Sequence, residues 1–253
     1  MPTRSTAGIF AAVTSDIRTA AAARKRLATL ADPEIARHSQ RFFKTGPGEY
    51  GEGDVFRGIR LPDLRSLARR AANMPLGEVV RLLRSRHHED RLLAVILMVA
   101  RFTRGDDAMK RRVAEAYLAN TRYINNWDIV DVSAAHVLGA YFYDSPARLR
   151  RLARSRNLWE RRMAVIATSY FIRKGECDLT FALVEQLLPD KHDLIHKACG
   201  WMLRDVGRHC GADKLRGFLR KHVSRMPRTM LRYAIEHFSP DERVRYLRGF
   251  RVE

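Results

Sequence analysis

The chain has 253 residues, enough for one large domain or two small ones, and its hydrophobic content of 46% excludes an intrinsically disordered chain. Its 47 Lys and Arg residues against 28 Asp and Glu give a net charge of +19, which favours a polyanionic partner. Nucleic acid is the first such partner and an anionic membrane surface the second, while an arginine-rich coding bias with no partner is the alternative.

The N-terminal 30 residues are rich in Ala, Arg, Ser and Thr and nearly free of acids, a composition that transit peptides share. We interpret this stretch instead as the start of the folded chain, with a first amphipathic helix from roughly Ser15 to Leu30.

A glycine-rich segment follows, with the sequence FFKTGPGEYGEGDVFRGIRLPDLR over residues 42–65. It lacks the Gly-Lys-Ser/Thr ending of a P-loop and no strand precedes it, so we predict a flexible joint between helices rather than a phosphate cradle. Pro62 fits the first turn of a helix that begins near Leu61, and Arg65 then lies one turn further on.

From Leu76 onward, apolar residues recur at three- and four-residue spacing, which predicts one helix after another. Sustained alternation of apolar and polar residues is absent, so a sheet is not expected. The predicted helices span residues 76–86, 90–103, 107–119, 127–142, 146–154, 158–173, 179–188, 193–209, 212–222, 228–237 and 240–249.

Four of these helices have similar sequences and start 37, 32 and 35 residues apart. They are EDRLLAVILMVARF (89–102), NWDIVDVSAAHVLGAYF (126–142), LWERRMAVIATSYFIR (158–173) and DLIHKACGWMLRDVGR (193–208). This period is typical of HEAT-like helical pairs, whose second helices line one concave surface.

We therefore predict an all-α, HEAT-like helical-repeat solenoid with a basic concave surface, in a single domain over residues 1–253. N-terminal helices and the glycine-rich loop would occupy residues 1–75, and helical repeats residues 76–250. An ordinary helical bundle is the alternative.

The segment from Asn125 to Asp131 contains the residues that best suggest chemistry. Asn126 is a good N-cap, which places Trp127 at the first helical position and Asp128 in the first turn, where a carboxylate is favoured. Asp131 lies past the cap, in a helix interior where Asp is a poor residue, and shares a face with Trp127. An acid on a phosphate-binding surface needs a compensating role, either in catalysis or in an ion pair with an arginine of the next helix.

Two further tryptophans lie in the later repeats. Trp159 occupies the matching position one repeat after Trp127, with Arg162 three residues on, and we expect Trp159 to be a core residue. Trp201 lies mid-helix between Lys197 and Arg204, which is compatible with a surface cleft.

Metal and cofactor chemistry is not indicated. The histidines at positions 87, 88, 136, 192 and 196 lack the carboxylate or cysteine companions of a metal site. The three cysteines have no CxxC pairing, which favours a reducing compartment, and no apolar run reaches membrane-spanning length. We expect a cytoplasmic protein without a cofactor or a bound metal.

Five motifs, in this order along the chain, resemble the DNA alkylation repair enzymes of the AlkD type. They are the glycine-rich run over 42–65, NWDIVD, NLWERR, KACGWMLRD and MPRTMLRYAIE, and the similarity extends from about Arg37 to His237. The resemblance implies a DNA glycosylase of base excision repair that removes N3- and N7-alkylated purines from duplex DNA while the lesion stays stacked.

The resemblance also implies roles for individual residues. Trp127, Asp131, Arg162 and Trp201 match the catalytic cleft, and Arg162 would hold a flanking phosphate. Arg65 and Arg204 match positions that contact the DNA backbone, and Lys197 and Arg60 are added as DNA-binding candidates, although the family can have an uncharged polar residue at the position of Arg60.

In this reaction Asp131 would have a catalytic role, because a fixed carboxylate stabilises the positive charge that develops on the sugar as the glycosidic bond breaks. The expected partner is duplex DNA that contains alkylated purines, bound by a monomer without an obligate protein partner. A non-catalytic HEAT-repeat protein that binds DNA or RNA is the alternative function. A protein-interaction scaffold is a third, which the positive charge disfavours.

Overall fold

Short polar linkers divide residues 16–248, the part of the chain that this computed structural model describes, into helices of one to five turns. The α-helices are α1 (Ala20–Ala28), α2 (Pro33–Phe42), α3 (Leu61–Arg70), α4 (Leu76–Leu83), α5 (His88–Arg104), α6 (Asp107–Leu118), α7 (Trp127–Asp131), α8 (Ala147–Leu152), α9 (Leu158–Ala167), α10 (Ser169–Ile172), α11 (Asp178–Leu187), α12 (Asp193–His209), α13 (Ala212–His222), α14 (Arg228–Ala234) and α15 (Pro240–Leu247). Across this range the fold is all-helical, as predicted, with no strand longer than an isolated bridge between Val55 and His87.

Polar side chains set where several helices begin. Thr19 accepts from the backbone N–H of Ala22 at the start of α1, so the first helix begins at Ala20 rather than near Ser15, which lies outside the described residues. Asp32 caps α2 in the same way and is followed by Pro33, whose fixed φ suits the first helical position.

Two predicted helices are interrupted. The helix predicted over 127–142 divides into α7 and a π-helical turn, Ala135–Gly139, because the Ser133 hydroxyl donates to the carbonyl of Ile129 (2.7 Å) and offers the backbone an alternative partner. The helix predicted over 158–173 divides at Thr168, whose hydroxyl donates to the carbonyl of Val165 (2.7 Å). Local side-chain hydrogen bonds therefore override a periodicity that continues across both breaks.

The helices pack in pairs, with α4 on α5, α8 on α9 and α11 on α12. The second member of each pair also contacts the next one along the chain, so that α5, the segment from α7 to the π-helical turn, α9, α12 and α14 lie side by side. Glycine permits two of these contacts, because a Cβ on Gly139 would lie 2.3 Å from the carbonyl oxygen of Ala167 in α9, and one on Gly200 would lie 2.5 Å from that of Met230 in α14. The buried apolar residues form one connected core from Ile17 to Tyr246.

A period of 35 residues is visible in the hydrogen bonds that precede the second helices. Ser85, Ser155 and Asp190 each accept, through a side-chain oxygen, the backbone N–H two residues on. Arg91 and Arg161, 70 residues apart, each donate from Nη1 to two carbonyls of these turns. These contacts, which need the same geometry at each site, indicate repeated units within the fold.

The unit that contains α7 departs from this period. The N-caps of α5, α7, α9 and α12 are residues 87, 126, 157 and 192, so α7 begins four residues later than a constant 35-residue step would place it. The 3₁₀-helix Thr121–Tyr123 takes up extra chain before α7. Counted from the N-caps, Trp159 occupies the second helical position of α9 and so corresponds to Asp128, and the predicted match to Trp127 is wrong by one residue.

None of the helices within residues 16–248 combines the length and the apolar character that crossing a membrane requires.

Candidate active site

The fifth residues of the second helices form a row across the layer, because these helices lie side by side in similar register. Counting from each first helical residue, this position holds Leu92 in α5, Asp131 in α7, Arg162 in α9 and Lys197 in α12. Asp131 therefore lies beside a cation on the next helix, Arg162, and a second cation, Lys197, follows one helix further on.

Asp131 and Arg162 form a two-point ion pair. The guanidinium donates from Nε to Asp131 Oδ1 (2.9 Å) and from Nη2 to Oδ2 (2.7 Å), while Nη1 donates to the carbonyl of Leu194 (2.6 Å) in α12. All three guanidinium nitrogens of Arg162 thus have protein acceptors. The side chain is only 6% exposed and three of its five N–H donors are engaged, which leaves little of it open to a ligand, and its role toward a flanking phosphate stays a prediction.

The carboxylate is the more accessible member of the pair, with 15% of the Asp131 side chain exposed. Burial raises the pKa of Asp131 above that of an ordinary carboxyl group, and the nearby Asp128 adds to this, while Arg162 opposes it. Each carboxylate oxygen retains a lone pair that Arg162 does not use. Asp131 can therefore present a fixed negative edge to the surface.

Aromatic rings from the end of α2 fix the indole of Trp127. Phe43 stacks on it with ring centroids 5.1 Å apart and an interplanar angle of 18°, and Phe42 meets it edge-on at 5.9 Å. The indole N–H also interacts with the hydroxyl of Tyr50, and the Tyr50 ring lies edge-on to Trp159 at 6.1 Å. The Trp127 ring is thus held in one orientation before any ligand arrives.

The glycine-rich segment joins α2 to α3, and hydrogen bonds anchor its C-terminal part, while its flexibility stays a prediction. The buried Glu89 carboxylate accepts three consecutive backbone N–H groups from Arg57, Gly58 and Ile59, at 2.8, 2.8 and 3.2 Å. A Cβ on Gly58 would meet the carbonyl oxygen of Asp32 at 2.0 Å, so only glycine permits this approach to α2.

A buried polar cluster joins the same segment to the start of α7. His88, only 2% exposed, contacts Asp54 Oδ2 through Nδ1 (3.1 Å) and Asp128 Oδ2 through Nε2 (2.8 Å). Asp54 also accepts from the Asn126 side-chain amide (3.0 Å) and from Arg91. Asn126 in turn accepts the backbone N–H of Trp127 at 2.8 Å, so the cluster holds the first turn of α7.

His88 carries a positive charge in this environment. Burial opposes protonation, but the carboxylates of Asp128 and Asp54 outweigh it and raise the pKa of His88 to about 9. The imidazole lies between the rings of Phe56 (4.4 Å) and Phe43 (5.0 Å), and Phe43 is the ring that stacks on Trp127. Two carboxylates that are distant in sequence, Asp54 and Asp128, thus lie beside His88. They serve as hydrogen-bond partners, and within residues 16–248 no group of three metal-ligating side chains is found.

Lys197 lies at the edge of the site and is partly exposed. Its ammonium contacts Asp193 Oδ2 at 2.8 Å, which raises the pKa of Lys197, and it also interacts electrostatically with Tyr50 and Tyr233. Trp201, one turn further along α12, is half-buried against the core. No ring contact or hydrogen bond within the described range joins Trp201 to Trp127 or Asp131. Trp159 is buried in the core, as expected.

The three arginines predicted to bind DNA differ in their surroundings. Arg204 pairs with Glu236 of the following segment and is mostly buried. Arg60 and Arg65, at the start and in the first turns of α3, are exposed and have no acceptor among residues 16–248. Of these three, Arg60 and Arg65 are the ones whose charge is available to a ligand.

Sequence reasoning missed the aromatic and ionic support of Trp127, namely Phe42, Phe43, Tyr50, Asp54 and His88. Four of these five residues belong to the glycine-rich segment. Aromatic residues are unusual in a segment that has the composition of a loop, and they were the signal that this segment packs against the site.

Comparison with known proteins places the chain in a family. Residues 23–238 match the sequence profile of a family described as DNA alkylation repair enzyme. The chain belongs to this family. The match covers most of the chain and confirms the resemblance to the AlkD-type proteins.

A solved structure supports the same fold. It is described as a predicted DNA alkylation repair enzyme from Enterococcus faecalis, and it superposes with a TM-score of 0.64 over 83% of this chain and 97% of that chain, at 17% sequence identity. At this identity the likeness concerns the fold alone. No match was found among curated proteins.

Proposed function

We propose that this member of the family is a DNA glycosylase that hydrolyses the N-glycosidic bond of N3- or N7-alkylated purines in duplex DNA, the first step of base excision repair. The observation that carries the proposal is the exposed edge of Asp131, fixed by Arg162 one helical turn from the immobilised ring of Trp127. A purely phosphate-binding surface gains nothing from an acid at this position, whereas a reaction that develops positive charge does.

The chemistry requires little from the protein on the leaving-group side. An N-alkylated purine is already cationic, so the electron pair of the breaking C1′–N bond neutralises the departing base without an added proton. Positive charge then develops on the deoxyribose. The Asp131 carboxylate would stabilise this charge and orient the water that attacks C1′, and the faces of Trp127 and Trp201 would add a negative quadrupole beside the sugar.

Arg162 acts as a positioning residue in this scheme. Its guanidinium fixes both oxygens of Asp131 and, through Leu194, ties α7 and α9 to α12. Because Arg162 lies deeper than Asp131, a cation that approaches from the surface meets the carboxylate first. The opposing charge of Arg162 weakens the negative field of the carboxylate at that surface.

DNA binding would use the exposed cations around this site. We propose that α5, α7, α9, α12 and α14 form the basic concave surface of a HEAT-like solenoid, within a single domain that its one connected core supports. Arg60 and Arg65 are free to contact phosphates, and Lys197 and Arg204 can do so by exchanging acidic partners for the DNA backbone.

Incubation of the purified protein with N-methylated duplex DNA, followed by chromatography of the released bases, tests the proposal. We expect free 3-methyladenine or 7-methylguanine from the wild type and an Arg111→Ala control, which removes an exposed arginine of α6. The Asp131→Asn variant should release the base about 10²- to 10³-fold more slowly. Absence of base release by the wild type on both methylated purines would refute the proposal.

A non-catalytic DNA- or RNA-binding protein is the second candidate. It is favoured by the pairing of Asp131 with Arg162, because an ion pair also accounts for an acid on this surface without any reaction. Under this alternative, methylated DNA is bound with strong salt dependence but no base is released.

A further inference from the structure

Phe42 is the most exposed large hydrophobic residue among residues 16–248, with 58% of its surface accessible. It is the last residue of α2, and it meets Trp127 edge-on with centroids 5.9 Å apart. The rings of Phe43 (5.2 Å) and His38 (6.5 Å) lie on its other sides. Core packing does not account for Phe42, because the neighbouring rings leave more than half of it open to solvent.

Exposed cations lie next to Phe42 along the chain. Arg41 precedes it and Lys44 follows the Phe42–Phe43 pair, and both side chains are exposed. An aromatic plate flanked by positive charge is the arrangement by which proteins bind unpaired nucleotides, since the ring stacks on the base and the cations contact the phosphates.

A protein partner fits this surface less well. Protein-binding patches are contiguous apolar areas, whereas the other exposed large hydrophobic residues in the described range are Tyr233 in α14 and Val244 in α15. The net charge of +19 also favours a polyanion over an ordinary protein surface.

We propose that Phe42 is a stacking platform, next to the position of Trp127, for the nucleobase that is left unpaired opposite the abasic site once the alkylated purine has been released. The inference rests on the proposed function in one respect, namely that DNA lies at Trp127 and Asp131. It adds a contact with a base, whereas the other candidates act on the sugar and the phosphates. The ring contacts of Phe42 with Trp127, Phe43 and His38 hold the plate in place, so little side-chain entropy is lost on binding.

Binding of a duplex that carries 2-aminopurine opposite a tetrahydrofuran abasic analogue tests this inference, because stacking quenches the fluorescence of the unpaired base. We expect Phe42→Ala to weaken binding of this duplex by about 5- to 150-fold and to abolish the quenching. Affinity for the fully paired duplex should change less than twofold. Phe42→Trp should restore both signals, whereas Phe42→Leu, which keeps an apolar contact to Trp127, should not.

Val244→Ala is the matched control, since it shortens another exposed hydrophobic residue, and we expect it to bind like the wild type. Thermal unfolding of each variant identifies any that has lost its fold. If Phe42→Ala is unfolded, the comparison of Phe42→Leu with the wild type tests the inference. Equal affinity and equal quenching for wild type and Phe42→Leu would overturn the inference.

The failure of this inference is distinguishable from that of the proposed function. Phe42-dependent binding by a wild type that releases no base would refute the glycosylase and leave the stacking platform supported. Base release by a wild type whose binding does not depend on Phe42 would support the glycosylase and refute the stacking platform.

Discussion

Replacing Asp131 by Asn removes one charge from a buried ion pair and keeps the size of the side chain. Arg162 would remain 6% exposed, with Leu194 and one neutral oxygen as acceptors. Loss of one partner from a buried pair costs about 3–5 kcal/mol, and the retained acceptor argues for the lower end of this range. In a chain of this size, ~3 kcal/mol corresponds to a Tm lower by roughly 6–12 °C.

The same substitution should slow catalysis for a separate reason, since it removes the charge that stabilises the sugar cation. Thermal unfolding followed by circular dichroism gives the stability. Single-turnover base release, well below the Tm of the variant, gives the rate. The two effects are separated by Asp131→Leu/Arg162→Met, because replacing a buried ion pair with apolar side chains is often neutral for stability. We expect this double variant to recover the Tm and to remain inactive.

Two results would refute this reasoning. An unchanged Tm in Asp131→Asn would show that the pair does not stabilise the fold. Base release at the wild-type rate by the double variant would show that the carboxylate has no role in the reaction.

Three further predictions concern pH and salt. Because the pKa of Asp131 is raised, its carboxylate is protonated at a higher pH than an ordinary aspartate as the solution is acidified. The single-turnover rate should therefore fall at low pH with an apparent pKa above 3.8. A limb at or below 3.8 would contradict the effect of burial. The pKa of His88, about 9 in the folded chain against 6.5 unfolded, means that its stabilisation is complete below pH 6.5 and is lost as pH rises to about 9. Over this window urea titration should show a fall of roughly 3 kcal/mol in the unfolding free energy of the wild type relative to His88→Gln, and parallel pH profiles would refute it. Arg65→Ala should reduce the slope of log K against log salt by about 0.9 for duplex DNA, whereas Arg111→Ala should leave it unchanged; equal slopes in both would remove Arg65 from the interface.

The helical pattern of this chain was predictable from its sequence, because apolar periodicity and capping residues act locally. The π-helical turn was not, since it depends on Ser133, whose hydroxyl contacts Tyr117 in another helix as well as the Ile129 carbonyl. A one-dimensional pattern does not reveal such a contact.

The candidate site was predictable only in part. The unusual position of Asp131 pointed both to catalysis and to an arginine partner, and the structure supplies the partner as Arg162. The support of Trp127 could not be found in this way, because Tyr50 and His88 lie 77 and 39 residues before it. Their proximity is a consequence of how the glycine-rich segment packs.

The polar cluster around His88 has a consequence for folding. Its hydrogen bonds join residues 34, 40 and 72 positions apart, so they form only after long loops have closed and the helices have docked. We therefore expect α7 to acquire its final orientation late, after the helices themselves have formed. Opening of the glycine-rich segment alone would then release Trp127 while most helical structure persists, so that activity would be lost before the circular dichroism signal changes.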